Sequence, residues 1–203
     1  MNTPLLSQLA ANLISLAVAL WLDWPPAMIL ALFWAENVVI ALWQIPRLLL
    51  AGGGERPTPW PSRLFMTLFF LVHYGMFTFV HGAFVFELFL HRHMSFETLA
   101  EFFSHPGPQL AVLAMLVSHG VRFFVDLGAG RVTSALPSAV MNAPYHRIVV
   151  LHLVVLGSGF LLGYLPYPVV GLVLLTLIKS AMEIVGAIKN KSKKETSAHV
   201  PQL

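Results

Sequence analysis

Histidines and one glutamate that stand inside long apolar stretches are the residues of this sequence best suited to chemistry. The chain has nine histidines and no cysteine. Imidazole is the commonest metal ligand and a proton carrier near neutral pH, so the histidine content points to metal binding or proton transfer. The lack of cysteine excludes thiolate ligands and leaves imidazole, carboxylate and carbonyl groups. The candidate metal ligands are Glu36, His73, His81, His119 and His152.

The composition around these residues is that of a membrane protein. Of the 203 residues, 57% are hydrophobic and only 10% are charged, whereas about a quarter of the residues in a soluble domain are charged. This excludes a soluble globular domain. An ionisable side chain inside the bilayer is costly, so each candidate ligand is a functional-site hypothesis.

Six segments are long and apolar enough to cross a bilayer, which takes roughly 20 residues. They are Leu5 to Leu22, Pro26 to Ile45, Leu64 to Leu90, Gln109 to Val125, Ile148 to Leu165 and Val169 to Ile188. Glycine and proline clusters separate several of them. We therefore expect an all-α polytopic fold with six transmembrane helices, in a single domain over residues 1–190. Residues 191–203 are expected to form a disordered basic tail.

The basic residues between these segments predict the topology. With six spans, one side of the membrane collects Arg47, Arg56, Arg63, Arg131, Arg147 and the lysines of the tail, whereas the other side has only Arg92. By the positive-inside rule, both termini are cytoplasmic, and we expect a bacterial inner membrane. The net charge is only +3, and the basic residues lie in connections and the tail. We therefore expect membrane lipid rather than nucleic acid as a partner, and a homo-oligomer stays open.

Two of the connections are expected to be more than turns. Ser95 to Ser104 places apolar residues on one helical face, which predicts a short amphipathic helix in the outer interface, between spans three and four. These apolar residues are Phe96, Leu99, Phe102 and Phe103. Residues 126–146 form either a cytoplasmic loop or a partly re-entrant one, and the sequence does not distinguish the two.

Counting residues along each span places most of the polar side chains in one layer. At a rise of about 1.5 Å per residue, Glu36 lies near the bilayer centre, and His73 and His152 lie about 6 Å towards the cytoplasm. His119 falls between these levels. His81 is eight residues from His73, about 12 Å along the axis, and therefore belongs to a second level.

The polar layer suggests roles for its members. Glu36 and Lys179, which also falls within this layer, are the candidate catalytic residues. Asn37 would orient Glu36 or a ligating histidine, and Arg147 and Glu183 are further candidates for supporting the site. Lys179 and Glu183 are four residues apart and therefore share a helix face.

Several short motifs carry a resemblance to a known family. They are Trp34-Ala35-Glu36-Asn37, His73-Tyr74-Gly75 with His81-Gly82, Pro144-Tyr145-His146-Arg147-Ile148 with Leu151-His152, and Lys179 with Glu183. From span two to span six, the chain resembles an uncharacterised family of bacterial multi-pass integral membrane proteins, a domain of unknown function. The resemblance implies a shared fold and places the candidate residues at motif positions, but it implies no activity.

A second resemblance concerns Gly157-Ser158-Gly159, which is similar to the serine motif of rhomboid proteases. Those proteases take the histidine partner of the serine from their last span, and Val169 to Ile188 contains no histidine. A serine nucleophile needs such a base within hydrogen-bonding reach. Ser158 is therefore read as a packing residue, and a rhomboid-like scaffold stays open.

The preferred hypothesis is an intramembrane site for a divalent metal. Three imidazoles and a carboxylate suit zinc or non-haem iron, and an open coordination position could activate water in a metal-dependent membrane enzyme. One alternative is a proton-coupled or metal-ion transporter that uses the same residues. Another is a b-type haem held by His73 or His81 together with His152 or His119.

Overall fold

In a computed structural model, the described residues are 24–54 and 57–145, together with 148–149, 152–153 and 157. Five helices lie in the two long ranges: α1 (Pro26–Leu50), α2 (Trp60–Phe89), α3 (Phe96–Phe102), α4 (Pro106–Gly128) and α5 (Pro137–Asn142). From Ala27 onward they belong to one compact unit that ends at Val155. The described part of the chain contains no strand, which agrees with the predicted all-α class. Predicted spans one and six, and most of span five, lie outside the described residues.

Three of the helices are long and apolar enough to cross a membrane: Ala27–Leu50, Trp60–Phe89 and Pro106–Gly128. They correspond to predicted spans two, three and four. Their outer faces carry large exposed apolar side chains, such as Val72 on α2 (73% exposed) and Phe124 on α4 (62% exposed). Faces of this kind suit lipid rather than water, so the described residues have the character of a membrane protein.

Prolines explain why the observed helix ends differ from the predicted ones. The predicted second span stopped at Ile45, before Pro46, but α1 continues through Pro46 to Leu50. A proline inside a helix removes one hydrogen bond and kinks the helix without always ending it. The helix α2 begins at Trp60 and has a proline in its first turn, where the missing N–H would have had no partner within the helix.

The helix α1 is held between α2 and α4 by two tryptophans. The indole Nε1 of Trp34 donates to the carbonyl of Thr78 on α2 at 2.8 Å, and that of Trp43 donates to the carbonyl of Leu116 on α4 at 3.1 Å. Each indole also lies against a glycine of the neighbouring helix. A Cβ atom at Gly82 would lie 2.6 Å from Nε1 of Trp34, and one at Gly120 would lie 2.6 Å from Cζ2 of Trp43.

Polar contacts hold the far ends of these helices at one end of the unit. Asp126 of α4 accepts from Arg47 at 2.9 Å and from Arg131 at 2.8 Å. The backbone N–H of Gly52 donates to the carbonyl of Thr133 at 2.7 Å. The loop between α1 and α2 and the turn after α4 therefore lie on the same side of these helices.

The short helix α3 forms where the sequence predicts it, although its apolar residues point in different directions. The Ser95 hydroxyl accepts from the N–H of Thr98 and caps the helix. Phe102 packs against Phe86 of α2 with ring centroids 5.8 Å apart, whereas Phe96 is 86% exposed. Outside the spans, a hydrogen bond from Arg92 to Glu101 lowers the pKa of that carboxyl group.

The connection after α4 folds back onto the bundle. Its helix α5 packs on α2, and the amide of Gln44 on α1 donates to the carbonyl of Val140. Beyond α5, Tyr145 packs on a cluster of Leu48, Phe70 and Tyr74. Residues 137–145 therefore pack against α1 and α2, and this contact is compatible with both conformations that the sequence left open.

Candidate functional site

Glu36 and Asn37 are adjacent in sequence, but they face different helices. Successive residues of an α-helix are separated by about 100° around its axis. Glu36 shares the face of α1 that carries Trp43 and Arg47, and its partner is on α4. Asn37 shares the face that carries Trp34, and its partner is on α2. The polar residues of α1 therefore contribute to two separate sites.

The first site pairs Glu36 with His119 of α4. Their Oε1 and Nε2 atoms are 3.9 Å apart, and the two side chains are 19% and 27% exposed. At this distance, the contact is an ion pair when His119 is protonated. The pair can therefore hold a proton on the imidazole, with the carboxylate balancing its charge.

The second site joins Asn37 to Tyr74, and both residues are buried. The Asn37 amide donates to the carbonyl of Phe33 at 2.7 Å, and its oxygen accepts from the Tyr74 hydroxyl at 3.3 Å. The amide thus bonds to Phe33 and Tyr74, whereas the sequence predicted that it would orient Glu36 or a histidine. Tyr74 was not among the candidate residues.

The third site is a direct hydrogen bond between two histidines. Nε2 of His81 and Nδ1 of His152 are 2.7 Å apart, and Nδ1 of His81 lies 2.6 Å from the carbonyl oxygen of Phe77. His81 is 2% exposed, whereas His152 is exposed. Sequence arithmetic placed these two residues at different levels, but the structure brings them together.

His73 lies in an aromatic environment. Its ring stacks on Phe69 with centroids 5.2 Å apart, packs edge-on against Phe77 at 5.2 Å and lies 5.7 Å from the ring of Tyr145. These contacts suit a packing role for the His73 ring.

Four of the five candidate ligands form two pairs in the part of the chain that the structure describes, and His73 belongs to neither. No group of three or more His, Asp or Glu side chains in that part could hold a metal ion. Glu36 is paired with His119, and His81 is paired with His152. Lys179, Arg147 and Glu183 lie outside the described residues.

Two buried hydroxyl groups near these pairs were missed by the sequence reasoning. Within the described residues, the side-chain oxygens of Thr78 and Tyr145 are buried and have no hydrogen-bond partner. Thr78 is four residues after Tyr74 and three before His81, and this spacing puts all three on one helix face. This shared face was the only sequence feature that could have identified Thr78. It is a weak indication, because threonine and tyrosine are also common packing residues.

The profile of a family of unknown function, DUF6498, matches residues 2–200. The chain belongs to the DUF6498 family. This confirms the resemblance to an uncharacterised domain family that its motifs indicated. No curated protein and no solved structure matches the chain.

The distance between His81 and His152 in this DUF6498 chain bears on haem ligation by the same two histidines. Imidazole nitrogens on opposite sides of a metal ion stand about 4 Å apart, since each bond is about 2.0 Å long. The facing nitrogens of His81 and His152 are 2.7 Å apart. Haem between these two rings would have to break their hydrogen bond and separate them.

Proposed function

We propose that this DUF6498 protein binds protons within the membrane and conducts them across it, through the residues that the sequence analysis assigned to a proton-coupled transporter. In this proposal it has six spans in the bacterial inner membrane, and both termini are cytoplasmic. The observation that carries the proposal is the hydrogen bond between His81 and His152, together with the contact of His81 to the Phe77 carbonyl.

The Phe77 carbonyl gives the histidine pair a direction. A carbonyl oxygen can only accept, so Nδ1 of His81 carries a hydrogen. In the neutral pair, Nε2 of His81 is therefore the acceptor, and Nδ1 of His152 donates to it. This leaves Nε2 of His152 with a lone pair, on a side chain that is exposed.

Proton uptake by the pair then follows from the hydrogen bond. A proton binds at Nε2 of His152, and the hydrogen on Nδ1 of that ring shifts to Nε2 of His81. The positive charge moves to His81, whose Nδ1–H remains bonded to Phe77. The pair takes up one proton rather than two, because two imidazolium rings at this distance repel each other strongly.

The Glu36–His119 pair supports the same chemistry. A carboxylate and an imidazole on neighbouring helices can share one proton as a neutral acid and base or as an ion pair. Neither arrangement leaves an unpaired charge in the bilayer, where such a charge is expensive. Pairs of titratable groups are sufficient for proton transfer, whereas a protein metal site commonly uses three or more ligands.

Proton flux into liposomes tests the proposal. Purified protein is reconstituted into vesicles that contain a pH-sensitive dye, and a pH gradient is applied with valinomycin and potassium to balance charge. We expect the wild type to conduct protons, and His81→Gln and His152→Gln to lose most of that flux. His105→Gln, at an exposed position before α4, is the matched control and should keep it. Equal flux in wild type and both pair variants, or no flux above empty vesicles, would refute the proposal.

A divalent metal at the Glu36–His119 pair is the second candidate function. The 3.9 Å between Oε1 and Nε2 lets both atoms reach one ion, since zinc bonds to oxygen and nitrogen are about 2.0–2.2 Å long. Further ligands would have to come from outside the described residues. Stoichiometric zinc or iron in the purified protein, lost in Glu36→Gln, would favour this candidate. If neither metal is bound on titration, this candidate fails.

A further inference from the structure

One arginine inside a membrane-spanning helix has no partner of opposite charge in the described part of the chain. Arg122 lies on α4, six residues before the helix ends at Gly128, or about 9 Å along the axis. It is exposed, and it forms no ion pair within the described residues. A charge at this depth in a bilayer is costly unless a counter-charge meets it.

The two carboxylates closest to Arg122 along the helices are bonded to other residues. Asp126 is four residues after Arg122 and would be the usual partner on the same helix face. However, its Oδ2 accepts from Arg47 at 2.9 Å and its Oδ1 accepts from Arg131 at 2.8 Å. Glu36 contacts a histidine of α4. The end of α4 thus places three arginines around one carboxylate, which leaves an excess of positive charge.

Two of these three arginines have guanidinium groups that can bind a further ligand. Arg47 is only 22% exposed, and its guanidinium lies 5.5 Å from the centre of the Phe123 ring. Arg131 is 59% exposed, and it bonds to Asp126 through Nε and Nη2. Its Nη1 and the whole guanidinium of Arg122 therefore remain for another acceptor. Guanidinium groups bind phosphate through paired hydrogen bonds.

The surface beside Arg122 is apolar, which favours a phosphate that is attached to acyl chains. Val117, Val121 and Val125 are spaced four residues apart and form a row along α4. They are 55%, 58% and 59% exposed, and Arg122 borders this row. A free phosphate ion would use only the charges, whereas a phospholipid would also cover the valines.

We propose that Arg122 and Arg131 bind the headgroup phosphate of an anionic phospholipid, whose acyl chains lie along the valine row. The excess positive charge selects against a zwitterionic headgroup, because such a headgroup carries a cation of its own. A long arginine side chain at this depth extends towards the headgroup level. Basic side chains at the cytoplasmic ends of spans hold anionic lipids in this way. The site is separate from the proposed proton conduction, because it uses neither histidine pair.

Native mass spectrometry of the full-length protein in detergent tests the lipid site. The protein is titrated with phosphatidylglycerol and, separately, with phosphatidylcholine of the same acyl chains, whose headgroup has no net charge. Arg122→Gln removes the charge, and Arg122→Lys keeps the charge without the paired donors. Arg92→Gln is the matched control, because Arg92 is also exposed but lies after α2 at the other end, where it pairs with Glu101. Gel filtration shows whether each variant is folded.

We expect the wild type and Arg92→Gln to bind one phosphatidylglycerol in preference to phosphatidylcholine. Arg122→Gln should bind it about tenfold more weakly, which is typical of losing a hydrogen bond to a charged group. Arg122→Lys should lie between the two, and it decides the matter alone if Arg122→Gln does not fold.

Three results would overturn the proposal. The first is equal affinity of the wild type for both lipids. The second is an equal loss of affinity in Arg92→Gln and Arg122→Gln, or an Arg122→Lys variant that binds like the wild type. The third is displacement of the lipid by excess inorganic phosphate, because the site would then bind a free anion.

Discussion

Each ring nitrogen of His81 has a different partner, and this difference gives the site its direction. Nδ1 contacts the Phe77 carbonyl of its own helix, and Nε2 contacts His152. Because the carbonyl can only accept, it selects one neutral tautomer, and in the proposed relay this makes His152 the point of proton entry. The hydrogen bond from His81 to Phe77, one turn earlier on α2, thus determines which nitrogen of His152 donates to His81.

The hydroxyl of Tyr74 should stabilise the unit by bonding to Asn37. Tyr74 is fully buried, so Tyr74→Phe leaves the Asn37 oxygen without this donor. We expect a loss of about 0.5–1.5 kcal/mol in the free energy of unfolding, measured by denaturant titration in detergent micelles. Tyr145→Phe is the comparison, because no protein group in the described part bonds its hydroxyl, and it should cost less. An equal cost for both substitutions would contradict this assignment.

Residue types and spacing could identify candidates but could not identify their partners. The cost of polar groups in the bilayer was enough to select Glu36, His81, His119 and His152 from the sequence. Which of them meet depends on how each helix is rotated and offset against its neighbours. That rotation follows from contacts such as Trp34 against Gly82, which involve residues far apart in the chain.

At the scale of the helices, α1 is central to the unit because two of its faces make hydrogen bonds to neighbouring helices. One face bonds α2 through Trp34 and Asn37, and the other bonds α4 through Trp43 and Arg47. The existence of α1, α2 and α4 was predictable, because hydropathy is a local property of the sequence. The fold of the connection after α4 could not be predicted from the sequence, because its position depends on hydrogen bonds between distant residues such as Gln44 and Val140.

Close packing at Gly82 should make it intolerant of a methyl group. A Cβ atom there would lie 2.6 Å from a tryptophan ring that is buried and held by its hydrogen bond to α2. We expect Gly82→Ala to destabilise the protein by about 1–3 kcal/mol, which is typical of overpacking. Thermal unfolding in detergent measures the effect.

Gly75 provides the matched control on the same helix. No atom lies within 4 Å of a Cβ atom placed there, and alanine favours a helix over glycine by up to about 1 kcal/mol. Gly75→Ala should therefore be neutral or slightly stabilising. If the two alanine variants melt at the same temperature, α1 and α2 do not pack as described.

For the whole molecule, the contacts between the loops define two opposite ends of the helices in the described part. The loop between α1 and α2 and the turn after α4 touch each other, and the basic side chains Arg47 and Arg131 lie at this end. The helix α3 follows the opposite end of α2. The proposed topology places the first end in the cytoplasm, by the positive-inside rule.

The lack of native cysteine allows a direct test of that topology. Ser104→Cys, Ser134→Cys and Ser197→Cys each introduce a single thiol, and Ser104 and Ser134 are exposed. In intact spheroplasts, a membrane-impermeant maleimide should label the cysteine at position 104 only. The cysteines at 134 and 197 should react after permeabilisation. Labelling of 134 or 197 in intact spheroplasts would refute the proposed orientation.

The most direct test of the central claim is nitrogen-15 NMR of histidine-labelled protein in lipid bilayers. We expect a scalar coupling between Nε2 of His81 and Nδ1 of His152 across their hydrogen bond. We also expect a neutral His81 with its hydrogen on Nδ1, and uptake of one proton by the pair as the pH falls. The coupling should disappear in His152→Gln and persist in His105→Gln. If the two histidines show no coupling and titrate independently, they do not form the hydrogen-bonded pair on which the proton relay depends.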